Sequence, residues 1–278
     1  MVLLLQNTII MSIILLIISI LSISYSPQVN TLKKGLIAYY SFNDCKAHNE
    51  VGNDGDGIFF GDIDCWCGIE GNALLLDGKD DYIKFPGSLN KAFNIQDFTL
   101  SFYIKPADYT GAPTSLFAKR ERCNSNQMLD IHFNQATQYF PTYFYESEMR
   151  FFKDLSPSSD SSQWIHYVIS REGFSAQTYI NGVLQQEAFK CRGVDISNEA
   201  VFSFSNSPCV YTGRIKRFKG LLDELKIYDR ALSSAEVAEL YAQHPVDRPN
   251  PDCLSFNSKN TPSDLPQKEE SVYLCANN

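Results

Sequence analysis

Apolar and polar residues alternate along most of this chain, in runs of four to nine residues broken by glycine, proline, asparagine and aspartate. Period-two runs of that kind predict strands with one buried face. The first is Gly35–Phe42, where Ile37, Tyr39 and Ser41 alternate against Leu36, Ala38 and Tyr40. Further runs fall at Ala73–Leu76, Tyr82–Phe85, Phe98–Lys105, Ser115–Arg120, Met128–Phe133 and Tyr139–Tyr145. Later ones are Trp164–Arg171, Gln177–Ile180, Val183–Phe189 and Val201–Ser205. Asn181-Gly182, between two of them, has the signature of a two-residue type I′ hairpin turn. Cys45–Gly68 reads as one long loop. Its stretch Gly52-Asn53-Asp54-Gly55-Asp56-Gly57 lacks the order and terminal Glu of an EF-hand, so solvated turns are expected there. Many short strands with a single late helix predict an all-β fold, a two-sheet antiparallel sandwich.

The stretch from Phe218 to Tyr241 is the most informative. In Leu221–Tyr228, the parity that places Leu221, Leu225 and Ile227 on the core face also places Asp223 there. A carboxylate in that position must be hydrogen-bonded, paired or metal-bound, because an isolated buried charge is very costly. Ser233 precedes Glu236 by three residues, the spacing of a capping box. A short helix is expected from there to about Gln243, with Val237, Leu240 and Tyr241 on one side and His244-Pro245 ending it.

Three motifs in order carry a family resemblance: Gly71-Asn72-Ala73-Leu74-x-Leu76-Asp77-Gly78-x-Asp80-Asp81-Tyr82-Ile83, then Trp164-Ile165-His166-Tyr167-Val168 with Tyr179-Ile180-Asn181-Gly182, then the Phe218–Tyr241 block. Together they resemble laminin-G-like domains of the concanavalin A-like jelly-roll superfamily, over roughly residues 35–242. The resemblance implies a jelly-roll sandwich that binds carbohydrate or extracellular protein and often calcium. It also implies that the first and last strands lie side by side, which would bring Asn43 and Asp44 towards Asp223. Oxygen ligands from these three residues would suit calcium. The alternative is an Asp223 that accepts hydrogen bonds and needs no ion.

Composition narrows the class. A formal net charge of -8 leaves no basic patch for general nucleic-acid binding. Residues 1–24 carry no charged side chain, and Ile9–Ile23 is almost purely aliphatic, as in a secretory signal peptide. An uncleaved anchor is the rival, although fifteen helical residues rise only about 22 Å. Residues 25–34 then form a linker, 35–244 the sandwich, and 245–278 a polar, proline-rich tail. All eight cysteines follow the leader, and an even count in an exported chain predicts disulfides. Among roughly a hundred possible pairings, Cys45 is expected with Cys65 or Cys67, Cys253 with Cys275, and Cys123 with Cys209. Cys191 is left for the remaining N-terminal cysteine.

Catalysis is not expected. The adjacent pairs Asp223-Glu224 and Asp80-Asp81 point to opposite strand faces, whereas a retaining glycosidase needs two carboxyls on one side. The histidines His48, His132, His166 and His244 are dispersed, His166 reads as structural, and no Gly-x-Ser-x-Gly elbow occurs. The aromatic-dense segment Tyr139, Phe140, Tyr143, Phe144, Tyr145, Phe151 and Phe152 could stack on sugars, with most members expected in the core. Lys119-Arg120-Glu121-Arg122 reads as a solvated loop. The expected protein is a secreted or cell-surface recognition or adhesion module for glycans or extracellular proteins. The competing readings are a secreted carbohydrate-active enzyme or its accessory subunit, and a purely structural envelope protein.

Overall fold

The computed structural model describes residues 31–250 apart from 53, 108–110, 161–162 and 249. The expected leader and the expected Cys253–Cys275 pair lie outside the described residues. By its contacts the chain divides into residues 1–34 and 35–278. The described part of the first unit is a single 3-10 turn, Thr31–Lys33.

The second unit is the sandwich. Its strands begin with β1 (Leu36–Tyr40), β2 (Ile58–Phe60), β3 (Asp64–Cys67), β4 (Asn72–Asp77), β5 (Tyr82–Phe85) and β6 (Phe98–Pro106). They continue with β7 (Thr114–Lys119), β8 (Met128–Phe133), β9 (Thr142–Ser147), β10 (Arg150–Phe151), β11 (Ile165–Glu172) and β12 (Ser175–Ile180). The last are β13 (Val183–Phe189), β14 (Phe202–Phe204), β15 (Lys216–Arg217) and β16 (Lys219–Tyr228), followed by the helix α1 (Ser234–Gln243). Two eight-stranded sheets result. The first runs β13-β12-β11-β6-β16-β4-β3 with β1 also on β16, and the second β10-β9-β8-β7-β14-β5-β2 with β15 on β7. All pairings are antiparallel except β15 with β7. The segment expected to be one long loop contains both β2 and β3, each only three or four residues long. Asn181 and Gly182 both take positive φ, 50° and 76°, as a type I′ turn requires.

Apolar residues from both sheets meet between them. Phe102 of β6 lies 4.7 Å from Phe117 of β7, Tyr40 of β1 lies 4.9 Å from Phe85 of β5, and Phe98 lies 5.7 Å from Phe144 of β9. Such ring pairs add about 0.5–1.5 kcal/mol each beyond burial. Tyr167, also in this core, is satisfied across the gap by Thr142 Oγ1 at 2.7 Å.

β16 departs from the expected alternation. Leu222, Leu225 and Ile227 join the core cluster, whereas Asp223 faces the opposite side. The cause is a β-bulge at Glu224, a residue with φ 49°, where the register against β6 slips between Asp223 and Lys226. One inserted residue swaps the faces on either side of it. The bulge also marks a change of partner. Lys219–Leu222 pair with β4, and Leu225–Tyr228 pair with β1, so β4 and β1 share one edge of β16 in tandem.

The helix follows from its cap. Ser233 Oγ accepts from Glu236 N at 3.3 Å, and Glu236 Oε2 accepts from Ser233 N at 2.9 Å. Val237 and Leu240 are buried. Tyr241 stacks on His166 with ring centroids 5.8 Å apart, placing α1 over the outer face of the first sheet.

Candidate functional site

Oxygens of the three residues expected to hold calcium are engaged by backbone amides of the protein. Asp223 Oδ2 accepts from Ile69 N at 2.8 Å and Glu70 N at 3.4 Å, while Oδ1 accepts from Glu224 N at 2.9 Å. Burial, and then Glu224, push its carboxyl well above the usual range despite these bonds. Asn43 Oδ1 is taken by Asn72 N at 2.9 Å, and Asp44 Oδ1 accepts from Lys46 N at 3.0 Å. Asp223 and Asn43 therefore clasp the Gly68–Gly71 turn in the notch between β1 and β4, where a Cβ at either glycine would collide with their oxygens. Asp44 belongs to another recess, with Lys46, His48, Asp56 and Phe59. A different group is compatible with a cation: Asp77, Asp80 and Asp81 place carboxylate oxygens within 4.8 Å of one another. Their positions beside the β4–β5 turn were visible in the sequence, but the convergence depends on the turn's shape.

The cysteines divide. Cys45–Cys65 and Cys123–Cys209 are bonded, with Cα atoms 5.5 and 4.6 Å apart, and Cys67 is also in a disulfide. Cys191 is a free, exposed thiol rather than the partner of an N-terminal cysteine. It follows β13 at one edge of the first sheet, and Cys67 lies on β3 at the other. Six strand spacings of about 4.8 Å separate those edges, far beyond the reach of a disulfide.

The outer face of the second sheet holds the most site-like arrangement. Along β8 and β9, Leu129, Ile131, Phe133 and Phe144 turn inwards, so Asp130, His132, Tyr143 and Tyr145 turn outwards. Asp130 is fully buried beneath this surface. Its Oδ2 accepts from Arg120 Nη1 at 2.7 Å and Ser207 Oγ at 2.9 Å, and His132 Nε2 lies 3.1 Å from Oδ1. Burial, the largest single influence, pushes the Asp130 carboxyl up, but His132 and Arg120 together hold it below its ordinary value. Arg120 also donates to the carbonyls of Arg122, Cys123 and Ser125. The Cys123–Cys209 bridge joins that loop to the one carrying Ser207. Arg120 is thus a buried hub, as Lys119 is through bonds to the Asn198 and Ala200 carbonyls at 2.6 and 3.0 Å; only Glu121 and Arg122 of the expected solvated loop are exposed.

Above this base runs an aromatic strip. The His132 and Tyr143 rings meet edge-on at 5.2 Å, as do Tyr143 and Tyr145 at 5.9 Å, and Tyr145 and Phe151 lie tilted at 4.5 Å. Lys153 and Lys190 lie 5.7 and 5.6 Å from the Phe151 ring. Phe140, Phe144 and Phe152 fill the core as expected, while Tyr143, Tyr145 and Phe151 remain half-exposed. The strip supplies flat apolar faces beside fixed polar groups, an arrangement suited to stacking and hydrogen-bonding a ligand. His166, by contrast, is buried on the other sheet, bonded to Ser101 Oγ at 2.8 Å and stacked 4.4 Å from Tyr103. Burial, then Lys226 and His244, lower its pKa to about 3, so it is a neutral structural residue.

Comparison with known proteins agrees with this architecture. A laminin G family profile described as the concanavalin A-like lectin/glucanases superfamily matches residues 77–238. Domain 4 of AbnA, an extracellular arabinanase from Geobacillus stearothermophilus solved with arabinotriose, superposes with a TM-score of 0.59 at 23% identity, covering 74% of this chain and 98% of that one. The binding domain of Paraclostridial Mosquitocidal Protein 1 gives 0.60 at 18% identity, over 75% of this chain and 52% of that one. The binding domain of botulinum neurotoxin DC, solved with rat synaptotagmin II, gives 0.59 at 13% identity, over 78% and 52%. No curated protein matches the chain.

Proposed function

Because the chain belongs to the concanavalin A-like lectin/glucanases superfamily, we propose that it is an exported, non-catalytic recognition module that binds carbohydrate on the outer face of its second sheet. The observation that carries this reading is the half-exposed strip Tyr143, Tyr145 and Phe151 over the buried Arg120–Asp130–His132 base. The AbnA domain, solved with a neutral arabinose trimer, supports a sugar as ligand class. The neurotoxin domain, solved with a protein receptor, keeps protein as the alternative. The disulfides Cys45–Cys65 and Cys123–Cys209 support an oxidising, extracellular location.

A glycan array followed by calorimetry tests this reading. The full chain binds at least one neutral oligosaccharide without hydrolysing it, and Tyr145→Ala weakens that binding about tenfold or more, about 1.4 kcal/mol. Release of reducing sugar, or binding indifferent to Tyr145, refutes it. The same reading assigns calcium to Asp77, Asp80 and Asp81. Added calcium then raises the melting temperature, and Asp80→Asn removes that rise; a rise that survives the substitution moves the ion elsewhere.

A further inference from the structure

The other end of the same outer face carries a second assembly, separate from the aromatic strip. Tyr82 of β5 and Phe60 of β2 stack in parallel, centroids 4.4 Å apart, and Lys84 lies 5.3 and 6.0 Å from the Phe60 and Tyr82 centroids. Arg217 of β15 packs its guanidinium 4.4 Å from the Tyr82 centroid and 5.5 Å from that of Tyr211. Arg217 is 8% exposed and Tyr211 68% exposed.

Charge distinguishes this cluster. A guanidinium keeps its proton in proteins, and a largely buried one is ordinarily paired. Arg217 and Lys84 form no ion pair among the described residues, although the chain carries a formal net charge of -8. The partners of Arg217 are all neutral: Ser205 O at 2.7 Å and Asn206 Oδ1 at 3.2 Å from Nη1, and Tyr211 Oη at 3.2 Å from Nη2. Those bonds leave the Nε–H and one Nη2–H of the guanidinium's donors, and the Nε/Nη2 edge matches a carboxylate bidentately. The backbone bond to Ser205 fixes that edge before any ligand arrives. The exposed Tyr211 ring beside it offers a flat face for an apolar sugar surface.

We propose that this end of the face is a binding site for an acidic sugar, a pyranose whose carboxylate is taken by Arg217 while its ring lies against Tyr211. Lys84, close to the same Tyr82 ring, adds attraction through space. A neutral sugar would leave the Arg217 charge uncompensated, whereas a uronic acid supplies both the anion and the ring. The ligand class rests on the carbohydrate reading, but the residues are distinct from those of the strip, so the two can fail separately.

Calorimetry on the full chain with trigalacturonate and with neutral galactotriose is the test. Trigalacturonate binds at least about tenfold more tightly at low salt, the advantage shrinks as salt rises, and it disappears in Arg217→Gln. Tyr211→Ala, at an exposed position, weakens trigalacturonate binding several-fold and decides the matter where Arg217→Gln fails to fold. Equal affinity for the two trisaccharides overturns the proposal, as does a preference that survives both substitutions. A sulfated galactose trimer bound as tightly overturns the carboxylate assignment in favour of a general anion site. Galactotriose binding unaffected by Tyr145→Ala removes the strip from the account, while loss of the acidic preference in Tyr211→Ala keeps this site standing.

Discussion

On the outer face of the first sheet, His166 lies against Tyr241 of α1, Tyr103 and Glu224 lie near His244 at its end, and Tyr39 and Lys226 are bonded to Glu224. On the outer face of the second, His132 joins Asp130 in the buried base, and Tyr143, Tyr145 and Phe151 extend from it as a partly exposed strip. The side-chain types are nearly the same. The first set is closed: Tyr39 Oη donates to Glu224 Oε1 at 2.7 Å, Glu224 pairs with Lys226, and His244 approaches Glu224 at 3.6 Å. Burial, and then Glu224, push the Tyr39 hydroxyl far above its ordinary range. In the second set Asp130, Arg120 and His132 are buried, whereas Tyr143, Tyr145 and Phe151 are only partly so. Composition therefore does not separate an open aromatic face from a structural network; what covers it does.

Removing a charge under the helix has the largest expected effect. Glu224→Ala leaves Lys226, 8% exposed, without its carboxylate, and loss of one partner of a buried pair costs about 3–5 kcal/mol. Urea denaturation reads this directly, and a loss under 1 kcal/mol would mean that the network is not structural.

A second expectation sets the two buried aspartates against each other. The folded-state value of Asp130 is lowered, so its contribution is present above its unfolded pKa of about 3.9 and is lost as pH falls through the folded value. That of Asp223 is raised, so its contribution is present below about 3.9 and is lost as pH rises through the folded value. Stability measured between pH 3 and pH 6 therefore rises less steeply in Asp130→Asn and more steeply in Asp223→Asn than in the parent. The same change of slope in both variants would break the contrast.

The smallest effect on stability belongs to the open face. Tyr145→Ala, half-exposed, should cost less than about 1 kcal/mol while weakening sugar binding. A loss as large as that of Glu224→Ala would make the strip structural too.

Much of this was legible in the chain. Tyr82–Phe85, Met128–Phe133 and Val183–Phe189 were bounded correctly by alternation alone, and Ser233 with Glu236 located the helix start. The bulge at Glu224 was not legible, because period-two reading cannot register an inserted residue, and the face assigned to Asp223 was inverted as a result. The Asp130 base escaped notice for another reason. Its partners Arg120 and Ser207 lie 10 and 77 residues away, and only the folding of two loops onto the sheet brings them together.

The tandem seating of β4 and β1 along one edge of β16 has a consequence for how the protein is made. β16 is the last strand among the described residues, yet it sits inside the first sheet, and its contact with β1 spans separations such as the 185 residues from Tyr39 to Glu224. A nascent chain that has emerged only as far as Phe218 holds β6, β4 and β1 with no strand to join them, each with an open edge. The sheet cannot close during synthesis of the first two hundred residues, and contacts of such long range fold slowly. Chains truncated before Tyr228 are thus expected to fail as whole molecules, exposed to aggregation and proteolysis, rather than to lose one strand.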